Sequence, residues 1–146
     1  MSHSASLANP GLVRHRGRAA LFALWIIQIA LAGLFLMAGG SKLLGAPAMV
    51  ALFHAVGLGQ WFRYVTGLIE VGSAVALLTP RLAVFGALAL VPTMIGAIAT
   101  ELFIVHRSPV VPALLLIGAS IVLWVRRNEL LPLRRLLSRQ ALNHSI

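Results

Sequence analysis

From residue 19 to residue 38 the chain reads AALFALWIIQIALAGLFLMA, without a single charge. A helix rises about 1.5 Å per residue and needs about 20 residues to cross a bilayer's hydrocarbon core. The run has that length. Basic residues ahead of an apolar run also describe a secretory signal. The apolar part of such a signal is about 7–15 residues long, and this one is longer, so the sequence predicts an uncleaved first span. Three more apolar segments follow, at 62–79, 82–105 and 108–125. Together they predict an all-α fold, an integral membrane four-helix bundle.

Composition agrees. Of the 146 residues, 60% are hydrophobic and 10% are charged, against roughly a quarter charged in soluble domains. The length fits one domain. The absence of cysteine excludes disulfides, thiol nucleophiles, thiolate zinc sites and Cys-bound iron–sulfur clusters. Residues 1–18 are polar, end in Arg14, Arg16 and Arg18, and read as a disordered basic tail. Residues 39–46, GGSKLLGA, read as a break after the first span. Residues 47–61 are apolar but short, which suits an interfacial or re-entrant segment with Trp61 at headgroup level. Thr79-Pro80-Arg81 and His106-Arg107-Ser108-Pro109 are turns. Residues 128–146 form a basic tail whose clustered Leu and Arg suit a surface-lying amphipathic helix.

Four spans place both termini on one side. That side carries Arg14, Arg16, Arg18, Arg81, Arg126, Arg127, Arg134, Arg135 and Arg139; the other carries Lys42, Arg63 and Arg107. Positive charge marks the cytoplasmic side. The expected topology is therefore N-in and C-in across the plasma (inner) membrane, with anionic lipid against the basic face. The net charge of +9 is then a topology signal. Nucleic-acid binding would need a folded basic face with groove-reading elements, and none is visible.

Glu70 is the most informative residue. It lies about 12–13 Å from either end of the 62–79 segment, near mid-bilayer. An ionised carboxylate there costs at least ~2.5–3.5 kcal/mol, so it must face the bundle, be protonated or be paired. It reads either as a proton-handling or headgroup-anchoring acid, or as a structural clip between helices. Thr66, one turn earlier, could donate to it. Lys42 is its candidate partner, with the alternative of an ammonium snorkelling to water. Gly39-Gly40-Ser41-Lys42 lacks the order of a phosphate loop. Thr93, Ala97 and Glu101 recur every four residues on one helical face. With Met94, His54 and His106 they complete the candidate outward-facing pocket. The two histidines read as polar helix ends or as a metal or haem pair. No His-x-x-x-His spacing supports the second reading, and no metal site is assigned. Pro92 is a candidate kink. Gly72-xxx-Ala76, Gly96-xxx-Thr100 and Thr93-xxx-Ala97 are candidate helix-packing pairs.

FLMAGGSKLLG, then TGLIEVGSAVALLTPR, then ALVPTMIGAIATELF, in that order and over residues 22–127, resemble the DoxX family of small four-span membrane proteins, most closely its DoxX-like branch. The matching positions are Gly40 and Lys42, then Glu70, Gly72 and Pro80, then Met94 and Ala97. The resemblance implies a membrane subunit of a quinone-linked oxidoreductase system, with a bound quinone, Glu70 handling a proton and Lys42 holding charge. No flavin, haem or other electron entry point is visible in the chain, so activity of its own is left open. The alternatives are a non-catalytic accessory or anchoring protein, alone or as a homo-oligomer, and a small transporter. No inverted repeat supports the last.

Overall fold

A computed structural model describes residues 10–127, with side chains from Ala20 onward. It contains five helices: α1 Pro10–Leu43, α2 Pro47–Val56, α3 Gln60–Leu78, α4 Ala83–Thr100 and α5 Val110–Arg126. A π-helical turn, Glu101–Val105, continues α4. No strand occurs among the described residues. Three segments are long and apolar enough to cross a membrane: Ala20–Leu43, Gln60–Leu78 and Ala83–Val105. The apolar α5 has 17 residues. Residues 10–18 of the expected tail are helical here, as the start of α1. The rest of that tail, and the C-terminal tail from 128, lie outside the described residues.

Four helices close a ring, with α1 against α3, α3 against α4, α4 against α5 and α5 back against α1. Helix α2 sits on α3 and on the π turn, marking one end of the bundle. The α3–α4 turn marks the other. Between them lies an apolar centre of Leu31, Phe35, Ala74, Leu77, Leu90 and Val122. Phe22, Met37, Leu114 and Ile117 face outward and are exposed. In water that pattern would be unstable. In lipid the tails are as apolar as leucine, and helices associate through close packing and polar contacts instead.

Close packing is where the sequence reading needs correction. Residues 39–46 do not break the first span. Helix α1 runs through Gly39, Gly40, Ser41 and Lys42 and ends at Leu43. The stop lies at Gly45, whose φ of 71° is left-handed. Gly45 N–H donates to the Lys42 carbonyl at 3.3 Å and Ala46 N–H to the Ser41 carbonyl at 3.0 Å. This is a Schellman ending, completed by Pro47. Gly39 serves contact instead. A Cβ there would lie 2.8 Å from Val71 Cγ2 and 2.9 Å from the Gly67 carbonyl oxygen. Gly67 is its counterpart, 3.1 Å from the Gly39 carbonyl oxygen by the same construction. The backbones of α1 and α3 meet at these two glycines. Gly86 does the same for α4, 2.7 Å from the Ser73 carbonyl. Of the small residues singled out in the sequence, Gly72 and Gly96 face open space, while Ala76 packs on Gly86.

Pro92 lies inside an otherwise continuous α4. Its ring leaves the Leu88 carbonyl without its usual partner. The next residue, Thr93, turns its hydroxyl back onto the Ala89 carbonyl at 2.9 Å, a bond that tends to bend helices.

Candidate functional site

The α2 end of the bundle holds a cluster of charged side chains, Lys42, Arg63 and Glu70. Glu70 stands ten residues from the start of α3 and eight from its end. Its side chain is 3% exposed, and it accepts a hydrogen bond from Lys42 Nζ at 2.7 Å. The contact exists because α1 remains helical through the Gly39–Gly67 crossing. That crossing brings Gly39 against Glu70 Cβ, and Lys42 follows one turn later on the same helix. The lysine stem then reaches along α3, and its side chain stays 14% exposed.

Arg63 adds a second cation. It is buried on the same face of α3 as Gly67 and Glu70. Its Nη1 donates to the Lys42 carbonyl, and its Nε donates to Gln60 Oε1 at 2.8 Å. Its guanidinium lies 4.2 Å from the centroid of the Tyr64 ring. The Lys42 carbonyl belongs to the last turn of α1, where carbonyls lack helical partners and carry partial negative charge. One helix thus holds Lys42 at both ends: Arg63 takes its carbonyl and Glu70 takes its ammonium. In the sequence Arg63 counts only among the three basic residues of the side opposite the termini. A lone arginine seven residues before an intramembrane acid, on the same helical face, was the available signal.

The other expected pocket residues are placed differently. Thr66 does not donate to Glu70. Its hydroxyl turns onto its own helix, 3.1 Å from both the Phe62 and Arg63 carbonyls. Thr93 likewise bonds its own backbone. Met94 belongs to the buried core, and Ala97 packs against it. Glu101 is half-buried at the π turn. Its carbonyl accepts from the Arg107 N–H at 2.9 Å and from the His106 N–H. His106 is exposed in the left-handed region, with φ 53°. His54 is exposed on α2. Among the described residues no group of three or more His, Cys, Asp or Glu is placed to hold a metal ion.

A second polar knot closes the opposite end. Gln28 of α1 is fully buried. Its Nε2 donates to the Leu77 carbonyl at 2.6 Å. Its Oε1 accepts from Arg126 Nη2 at 2.8 Å and Nε at 3.0 Å. Arg126 Nη1 reaches the Pro80 carbonyl at 2.9 Å. Three helices and the α3–α4 turn are tied through one glutamine and one arginine. Such a knot rigidifies, because every polar group in it has a partner. Chemistry is better suited to the α2 end, where an acid and two cations lie together and one side chain is still partly exposed.

The model of the DoxX-like family matches residues 26–127, including all of α2 to α5 and most of the spanning part of α1. No curated protein and no solved structure matches the chain significantly. The match extends over more than half of the sequence, and the chain belongs to the DoxX-like family.

Proposed function

We propose that this DoxX-like membrane protein is the membrane subunit of a quinone-linked oxidoreductase system, and that Lys42 and Glu70 receive the polar head of the quinone. The observation that supports this most is the 2.7 Å ion pair, set within apolar helices with Lys42 still partly exposed. Intramembrane ion pairs are rare and mark ligand or proton pathways. A quinone carbonyl can accept a hydrogen bond from an ammonium, and a carboxylate can exchange a proton with a reduced ring hydroxyl. Electrons would come from a partner enzyme.

The proposed orientation puts the α2 end outside and both termini in the cytoplasm of a plasma-membrane protein. The count of basic residues supports it, as do Arg126 and Arg127 stacked near Trp25 and Trp124 at the opposite end, 5.6 and 4.9 Å from the ring centroids. Anionic lipid on the basic face is part of the same proposal.

An accessory, non-catalytic role has one observation in its favour. Lys42 and Glu70 pair with each other, as a clip between α1 and α3 would. Titrating a quinone into wild type and Glu70→Gln in nanodiscs separates the two. Loss of binding in a folded variant supports the subunit. Unchanged binding with lowered stability supports the clip.

A further inference from the structure

The charges at the α2 end do not balance. Lys42 and Arg63 are cations, and Glu70 is the carboxylate among them. Arg63 is only 4% exposed. Its partners carry no full negative charge: the Lys42 carbonyl and Gln60 Oε1 accept its hydrogen bonds, and the Tyr64 ring centroid lies 4.2 Å from its guanidinium. Glu101, the other carboxylate among the described residues, forms no ion pair there. The negative end of α1 offsets about half a charge. A buried guanidinium normally finds a full counter-ion.

Hydrogen-bonding capacity is also left over. Arg63 Nη2 has no acceptor among the described residues. Lys42 Nζ has three N–H donors, and Glu70 Oε2 takes one of them. The cluster therefore offers positive charge and spare donors to whatever enters beside Lys42.

Resting on the quinone reading above, we infer that this cluster selects a ring ligand in its anionic form, as an oxyanion on a quinone-type ring, over the neutral ring. The oxyanion takes a spare N–H of Lys42. Arg63 acts through space and through the Lys42 backbone, as a positioning and charge-setting residue. Arg63 and Glu70 are seven residues apart, or about 10 Å along the helix. For a ligand oxyanion near Glu70, about that far from Arg63 and with an effective dielectric near 20, one extra positive charge favours the anion roughly tenfold.

The test uses the full-length protein in nanodiscs of zwitterionic lipid. Two probes are titrated: an alkylated hydroxynaphthoquinone, ionised at neutral pH, and its neutral methyl ether. The wild type is expected to bind the anion roughly tenfold more tightly. Arg63→Gln should bring the two affinities together, and Arg63→Lys should keep the preference. Equal affinities in the wild type overturn the inference and leave the quinone reading standing. That comparison decides even where Arg63→Gln does not fold. Binding of neither probe refutes the quinone reading, and the inference falls with it. An anionic lipid in the disc that displaces the ionised probe stoichiometrically would assign the site to a lipid phosphate and overturn the ring-ligand inference.

Discussion

Removing both partners of the Lys42–Glu70 pair should cost less than the sum of removing each alone. Lys42→Met strands a carboxylate that is 3% exposed. Breaking a buried pair in this way costs about 3–5 kcal/mol. Glu70→Gln strands an ammonium instead. That side chain is already 14% exposed, and a lysine stem can swing its charge toward the headgroups, so a smaller loss of about 1–3 kcal/mol is expected. The double variant leaves a methionine and a glutamine, with no unpaired charge. Its loss should fall below the sum of the singles by about 0.5–3 kcal/mol, the range for groups in direct contact. Unfolding in mixed micelles with rising denaturing detergent, monitored by helix content, measures all four proteins. Additive losses would refute the argument, because they would mean that each group is solvated independently and the 2.7 Å contact contributes nothing.

Further outcomes follow from the packing. Gly39→Ala places a methyl against the Gly67 carbonyl and Val71 and should destabilise by about 1–3 kcal/mol. Gly40→Ala meets nothing within 4 Å and should stay within about 0.5 kcal/mol of wild type; the same unfolding assay compares them. Gln28→Leu removes both the acceptor for Arg126 and the donor to Leu77, and should cost about 2–4 kcal/mol, with Arg126→Met partly restoring stability in the double variant. A fluorescent protein that folds only in the cytoplasm, fused after residue 146, should fluoresce if the C-terminus is inside; a dark fusion at normal expression would reverse the proposed topology.

The spans were legible because lipid imposes one strong rule: backbone polar groups must be satisfied within the segment, which makes long apolar runs helical. Gly39 and Gly40 misled because two adjacent glycines weaken a helix in water. In this bundle one of them is the contact point with Gly67, a partner 28 residues away that no local pattern announces. Gln28 was passed over as one polar residue in an apolar run. Its partner lies 98 residues further along the chain. Lys42 and Glu70 were found together because each is costly alone in a membrane, and cost can be read from one residue. Thr66 was misplaced because a threonine within a helix can satisfy its hydroxyl on its own backbone.

The Gln28–Arg126 bond also fixes how the protein sits in its solvent. Helix α5 has 17 residues, about 25 Å of length. The apolar part of α1 has 24, about 36 Å. A hydrocarbon core about 30 Å thick lies between these values. Because Arg126 is tied to Gln28, the charged end of α5 is drawn about 12 Å inside the level at which α1 becomes apolar. In a bilayer of that thickness, lipid beside the described part of α5 would thin, while lipid beside α1 would meet a surplus. Over the described residues the apolar flank at α1 is the longer one and that at α5 the shorter, and the two are tied at Arg126. A partner that docks along α5 would gain from relieving that dimple.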